Sequence, residues 1–389
     1  MPLKSIELFT GAGGLALGLH FSGFHHVALV DFNRDACRTL EQNAASGRIG
    51  GLGQWNIIHA PIQDVNLGEY FGVDVVAGGP PCQPFSIGGK HRGMSDERNM
   101  IPQFIRSVRE LQPRAFIMEN VRGLLRKSFA TYFQYILLQL TYPSVELRKG
   151  DNIGRHLERL EKLHTAGKAP DLKYNIVFRL VNSADYGVPQ KRERIFIVGF
   201  RDDTGIEWAF PEPTHSKEAL LRDQWVTGAY WRRHGIEAVE KPSIAGQSLN
   251  FDLPTRRGLP PKPWRTVRDA LAGLPDPRDV RSGRFYNHKY QPGARAYYGH
   301  SGSDPDLPAK TLKAGVHGVP GGENMIASPN RVPRYFTVRE AARIQSFPDD
   351  WIFEGSWSET MRQLGNAVPV LLAERISQEV AHCLGAHVA

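Results

Sequence analysis

The sequence predicts an α/β protein, with a Rossmann-like, mainly parallel sheet and a second, smaller, loop-rich domain. Three observations carry this. Short apolar runs alternate with helical patterns through about the first 200 residues, which is how a parallel sheet covered on both faces reads. A glycine-rich turn follows the first apolar run, where such a sheet hands its chain to a helix. From about Arg201 to Asn330 proline and glycine become dense and periodicity fades, the texture of a domain built from loops. A chain of 389 residues has room for both parts.

Taken in order, Leu3 to Phe9 reads as the first strand, Val27 to Asp31 as the second, Val73 to Ala77 as the third and Ala115 to Met118 as the fourth. Ile176 to Val181 and Arg194 to Phe200 read as two more, with helices over Arg34 to Asn43 and Pro102 to Leu111. A charged stretch, Glu146 to Lys168, interrupts the alternation; it is helical in composition but weakly apolar, so it reads as an exposed excursion. Periodicity returns at Val338 to Gln345, and one final helix, about Ser358 to Leu384, is expected to pack back on the first domain. The expected divisions are therefore 1–203, 204–357 and a returning segment, 358–389.

Apolar residues make up 41% of the chain, enough to build a core, while charged residues at 23% suit a soluble protein. No apolar run reaches the ~18 residues of a membrane span, and the first residues lead into a strand with no apolar leader. A cytoplasmic protein without membrane contact is expected. The three cysteines, Cys37, Cys82 and Cys383, form no metal-binding spacing, and the 14 histidines form no ligand cluster, so no metal is expected. The net charge is +8, and the stretch from His215 to Tyr335 alone holds 19 Lys and Arg against 11 Asp and Glu. A basic segment joined to a neutral one suits a polyanion such as nucleic acid.

Phe9-Thr10-Gly11-Ala12-Gly13-Gly14 lets the backbone turn sharply and approach a ligand. Gly11, Gly13 and Ala16 match the dinucleotide fingerprint, and Asp31 lies 20 residues after Gly11, where such folds hold a ribose hydroxyl. This pattern alone points to an adenosine-type cofactor and leaves a nicotinamide-dependent oxidoreductase open. Gly78-Gly79-Pro80-Pro81-Cys82-Gln83-Pro84-Phe85-Ser86 separates the candidates. A lone cysteine is usually a small buried hydrophobe. One set on a proline-stiffened turn after a strand, with a basic, glycine-bearing loop behind it, is a candidate thiolate nucleophile, for which hydride transfer has no use.

With these motifs the chain resembles the cytosine-5 DNA methyltransferases, of bacterial or phage type. The resemblance rests on six pieces in the family's order: the glycine turn, the Pro-Pro-Cys-Gln loop, Glu119-Asn120-Val121, Gln190-Lys191-Arg192-Glu193-Arg194, Arg339-Glu340-Ala341-Ala342-Arg343, and Gln363-Leu364-Gly365-Asn366-Ala367-Val368-Pro369. Between Arg201 and Asn330 the match is local, at Lys310-Thr311-Leu312. The resemblance implies an S-adenosylmethionine-dependent methyltransferase fold, with a catalytic and cofactor-binding domain and a target-recognition domain that reads DNA. It implies Cys82 as nucleophile, Glu119 as the carboxyl on N3 and the exocyclic amine of the cytosine, and Arg192 and Arg194 near the base oxygen and its phosphate. It implies a cofactor pocket of Phe9, Gly11, Ala12, Gly13, Gly14, Asp31, Phe32, Asp64, Val65, Pro81, Asn366 and Val368. Ser86, Gln190 and Thr311 are implied at the DNA. The chain departs from the family's habit at Glu7, where Asp is common, and at Asp31, where Glu is usual.

The chemistry asks for the same residue types. Carbon 5 of cytosine is a poor nucleophile until a thiolate adds to carbon 6. An acid at N3 relieves the charge that develops there, so Glu119 should carry or gain a proton at that step. The base must leave the duplex to be reached. The expected partners are double-stranded DNA, met by a monomer, and a functionally paired restriction endonuclease; the expected products are 5-methylcytosine and S-adenosylhomocysteine. The rivals are the oxidoreductase, a catalytically silent nucleic-acid binder, against which the intact Cys82 and Glu119 speak, and an RNA methyltransferase, against which the long basic region speaks.

Overall fold

The structure, a computed structural model, describes residues 2–81, 99–167, 170–236, 260–295, 301–314, 324–327 and 332–385. The chain divides into two compact units. The first comprises residues 1–181, 193–211 and 350–389, and the second residues 182–192 and 212–349. The division after the sheet thus falls at 211 rather than 203 and the return at 350 rather than 358. The loop 182–192, expected in the first domain, belongs by packing to the second.

The first unit is built on a seven-stranded sheet. In chain order its strands are β1 (Leu3–Leu8), β2 (Phe24–Asp31), β3 (Ile57–His59), β4 (Val75–Gly78), β5 (Ala115–Val121), β6 (Tyr174–Asn182) and β7 (Glu193–Arg201). Their order across the sheet is β3-β2-β1-β4-β5-β7-β6. The strands from β3 to β5 run parallel, and β7 runs antiparallel to β5. β1 and β4 are buried along nearly their whole length, as strands covered on both faces must be. Two elements differ from their sequence reading for simple reasons. β3 has three residues, too short to show a period. β2 starts at Phe24 because the polar His26 is satisfied inside: Ser5 Oγ lies 2.9 Å from Nδ1, and Nε2 lies 2.9 Å from the Ala16 carbonyl.

The helices of this unit among the described residues before β6 are α1 (Gly14–Phe21), α2 (Arg34–Ser46), α3 (Ile101–Leu111), α4 (Ala130–Thr141) and α5 (Ile153–Ala166). α2 begins where Asn33 caps the Ala36 N–H, and α3 carries a proline in its first turn. α4 is apolar nearly all round, with Tyr132, Phe133, Tyr135, Ile136, Leu138 and Leu140 buried, so no amphipathic stripe announced it. Beside it the charged stretch is mostly exposed and partly helical, as expected, but it also packs one buried seam. It folds as α5, capped by Asn152, and drives Leu157 and Leu160 into the core. His156 is buried there, its ring 3.0 Å from the Tyr135 hydroxyl and 2.9 Å from the Val145 carbonyl.

In the second unit the helices are α6 (Lys217–Trp225), α7 (Ala229–Arg233), α8 (Val267–Leu271) and α9 (Val338–Ile344), with two-residue strand pairs, His215–Ser216 with Lys262–Pro263 and Met325–Ile326 with Arg334–Tyr335. Polar staples fasten these short pieces. Tyr230 is fully buried and donates to Asp306 at 2.8 Å, and Arg268 grips the same carboxylate at 2.6 and 3.0 Å. Capping boxes start α8 at Thr266 and α9 at Thr337.

The chain ends in the first unit as two helices rather than one, α10 (Trp357–Asn366) and α11 (Val370–Cys383). Pro369, just ahead of α11, forbids a continuous helix. α11 lies against α1 so closely that a Cβ on Gly18 would come within 2.4 Å of the Ala373 Cβ.

Candidate active site

The carboxyl ends of β1, β2, β4 and β5 line one edge of the sheet, because these strands are parallel. That edge of an open α/β sheet is where ligands bind. β1 ends in Phe9, held at φ 58°, then Gly11 at φ 56° and Gly13 at φ 86°. Left-handed backbone at a bulky residue is strained. A Cβ on Gly11 would meet nothing within 4 Å, so the turn faces open space there. Asp31, at the end of β2, accepts the Gly11 N–H and the Asn33 N–H, each at 2.7 Å. It braces the turn from within, and burial pushes its carboxyl up despite those bonds. The neighbouring Phe32 leaves 64% of its surface exposed, unusual for an aromatic ring. Glu7 is buried beneath the turn; burial raises its carboxyl well above the usual range, and Asp31 adds to the rise.

The other predicted cofactor residues fall into place unevenly. Gly14 packs its backbone on the Val368 carbonyl, so the glycine turn meets the Asn366-Ala367-Val368 segment. Asn366 is exposed at the end of α10, whereas Val368 is buried. Asp64 is exposed at the end of a short 3-10 turn, and Val65 is buried in the hydrophobic core. Ala12 is fully buried, so it can offer a ligand only its backbone. Trp351, which the sequence did not mark, stands against Gly13, 3.1 Å from where a Cβ would be.

Along the same edge, β4 runs out into Gly79, Pro80 and Pro81. Cys82 and Ser86 lie outside the described residues. Glu119 on β5 is buried, and its Oε1 lies 3.0 Å from Nε of Arg194. The antiparallel register of β5 and β7 brings them together, setting Arg194 across from Val121. Burial lowers the Arg194 guanidinium, and the Glu119 carboxylate opposes that shift. Gly79 lets β4 pass close by, since a Cβ there would sit 3.1 Å from Glu119 Oε2. Asn120, quoted in the sequence without a role, donates to the Pro80 carbonyl at 3.1 Å and ties β5 to the segment that follows β4. The Met100 N–H binds the Pro81 carbonyl at 3.2 Å.

Three other predicted residues belong to the second unit. Gln190, expected at the DNA, is fully buried: its Oε1 accepts the Leu312 N–H and its Nε2 donates to Gln345 Oε1, both at 3.1 Å. Arg192, expected at the base, is also fully buried and donates to the Leu312 carbonyl at 3.1 Å. The burial of both has one cause: residues 189–191 pair with Ala309 as a parallel bridge, which turns these side chains inward. Thr311 is half-buried and donates to the Lys191 carbonyl at 2.7 Å. Among the described residues no group of three or more His, Cys, Asp or Glu side chains is placed to hold a metal, and no helix is long and apolar enough to cross a membrane.

Known structures share this fold. A protein solved from an Escherichia coli prophage, assigned as a DNA modification methyltransferase, aligns with a TM-score of 0.60 at 21% identity, covering 99% of this chain and all (100%) of the other. The Dnmt2 methyltransferase of S. pombe aligns with a TM-score of 0.56 at 16% identity and the same coverage. The fold is shared with these two methyltransferases. Among relatives in sequence, the type II methyltransferase M.Eco47II of Escherichia coli is 32% identical over 97% of this chain and 79% of its own length. M.NgoMIV of Neisseria gonorrhoeae is 31% identical over 99% of both. The C-5 cytosine-specific DNA methylase family matches residues 3–142 and 151–382. The chain belongs to this family and is a DNA (cytosine-5-)-methyltransferase.

Proposed function

We propose that the enzyme turns a cytosine out of duplex DNA, attacks its carbon 6 with the Cys82 thiolate and leaves a methyl group on carbon 5 within a short specific sequence. The observation that carries this reading is the buried Glu119–Arg194 pair beside Gly79, three residues before Cys82. A carboxyl and a guanidinium side by side match the N3, amine and O2 edge of a cytosine. Glu119 would give N3 a proton as the thiolate adds, and Arg194 would hold O2. Once carbon 5 has taken the methyl, the proton on N3 returns to Glu119, the hydrogen on carbon 5 leaves as a proton to solvent, and the electrons of that bond expel the thiolate from carbon 6. Cys37 and Cys383 do not compete for the role. Burial pushes the Cys37 thiol up to about 12 and raises that of Cys383, which keeps both protonated.

The cofactor edge fits S-adenosylmethionine, which supplies an electrophilic methyl when bound. The open turn at Gly11 offers backbone and the exposed Phe32 ring offers a stacking face for adenine, and we assign the ribose to Asp31, which braces that turn. We assign sequence choice to the second unit, with its basic excess. Its phosphate contacts would make DNA affinity fall steeply with salt. Because the relatives are named type II methyltransferases, we also assign the enzyme, acting as a monomer on cytoplasmic DNA, to protecting a short site from a partner endonuclease.

The test uses duplex DNA carrying 5-fluorocytosine at the target, once bisulfite sequencing of treated DNA has located it. Fluorine cannot leave as a cation, so the enzyme should be trapped on the DNA in a form stable to denaturant, and only with S-adenosylmethionine. Cys82→Ser should not trap, while Cys37→Ser and Cys383→Ser should. An adduct on another residue, or none from an enzyme that methylates ordinary DNA, overturns the cysteine mechanism. A chimera with residues 212–349 from a relative should methylate new sites; an active chimera that keeps the old site overturns the recognition assignment.

A further inference from the structure

We infer that Gln345 and Gln190 are positioning residues for methyl transfer: their buried amide pair sets the register between the segment that leads into Arg194 and the segment that carries Thr311. The inference rests on the methyltransferase reading above. Both side chains are fully buried, so each polar atom needs a partner. Gln190 Oε1 accepts from the Leu312 N–H at 3.1 Å, which obliges its Nε2 to face, and donate to, Gln345 Oε1 at 3.1 Å. Gln345 therefore dictates which way the Gln190 amide points. A reversed amide would present a donor to the Leu312 N–H and break the bond.

The consequences run along both segments. Leu312 is held twice, its N–H by Gln190 and its carbonyl by Arg192. Thr311 closes on the Lys191 carbonyl at 2.7 Å, and the Lys191 N–H binds the Ala309 carbonyl at 2.9 Å. Residues 189–192 and 309–312 are thus one clamped pair, and the chain enters β7 immediately after Arg192. A slip of one residue in this pairing would reverse which side chains face inward and redirect Thr311 and the lead into Arg194. Gln345 touches neither base nor cofactor in this account. It is the C-cap residue of α9, two residues beyond the Arg339–Arg343 motif, and the sequence reading assigned it no role.

The test compares two full-length variants. Gln345→Met keeps the length of the side chain but removes the acceptor; Gln345→Glu keeps the acceptor. Methylation of unmethylated genomic DNA with tritiated S-adenosylmethionine gives kcat and both KM values, and thermal melting reports folding. Gln345→Met should lower kcat by about 10- to 100-fold, the scale of a misplaced reacting group, with KM for S-adenosylmethionine within twofold of wild type; the orphaned Gln190 amide should lower the melting temperature by a few degrees, with the enzyme still folded at the assay temperature. Gln345→Glu should restore kcat to within threefold. A methionine variant with wild-type kcat overturns the inference, as does a glutamate variant equally impaired. A loss of kcat that tracks loss of folded protein in both variants overturns it too, in favour of a purely structural role. Wild-type enzyme that methylates no DNA would instead sink the functional reading itself.

Discussion

Replacing Gly14 by alanine tests whether the glycine turn and the Asn366-Ala367-Val368 segment form one cofactor edge. The added Cβ would sit 2.1 Å from the Val368 carbonyl oxygen, 3.2 Å from its carbon and 3.4 Å from the Ala367 Cβ. A carbon–oxygen contact needs about 3.3 Å, so roughly 1.2 Å must open between two stretches of backbone, neither of which can rotate away. Overpacking of this kind costs about 1–3 kcal/mol. In a unit of roughly 240 residues that lowers the melting temperature by about 2–6 °C. Because the displaced segment carries Asn366, S-adenosylmethionine should also bind at least about tenfold more weakly, or ~1.4 kcal/mol. Gly18→Ala supplies the control. Its Cβ would crowd Ala373 at 2.4 Å and the Glu374 nitrogen at 2.6 Å, one turn further along α1. It should destabilise comparably and leave cofactor affinity unchanged. Calorimetric titration with S-adenosylmethionine, alongside thermal melts, separates the two. Gly14→Ala binding with wild-type affinity would show that the two segments do not share the cofactor.

Glu119→Gln should bind S-adenosylmethionine normally but lose about two to four orders of magnitude in turnover, the usual loss on removing a positioned acid; single-turnover methylation measures it, and a wild-type rate removes Glu119 from the mechanism. His26 is held by burial at a pKa of about 4, against about 6.5 when unfolded. The unfolded chain therefore takes up a proton between pH 6.5 and 4 that the folded one refuses. The stability linked to His26 is complete above pH 6.5 and falls by about 3 kcal/mol as the pH approaches 4. Denaturation across that range should show it, and His26→Gln should flatten the slope by nearly one proton; an unchanged slope would place the titration elsewhere. Gln112 ends α3 in the left-handed region at φ 46° and ψ 49° with an exposed side chain. Gln112→Gly should raise stability by about 0.5–1 kcal/mol, read as a higher melting temperature; a lower one refutes the strain argument.

The sequence by itself determined what short-range chemistry can specify. A strand, a turn needing left-handed backbone at Gly11 and Gly13, and an acid at the end of the next strand are each written in a few adjacent residues. So are the parallel α/β pattern and the loop-built texture of the second unit, because periodicity and proline or glycine content act locally. Six motifs in one order were enough to point to the family, since each carries its own local reason. Partner choice and burial were decided only by the tertiary structure. Whether an arginine in Gln190-Lys191-Arg192-Glu193-Arg194 meets a carboxylate or a backbone carbonyl depends on strands from elsewhere in the chain. The β5–β7 register puts Arg194 beside Glu119, and the pairing with Ala309 buries Gln190 and Arg192. The charged stretch became a packed helix because α4 offered Leu157 and Leu160 an apolar surface that no local pattern reveals. A side chain's environment is set by whatever long-range packing brings to it, and that packing is the sum of many weak contacts distributed over the whole fold.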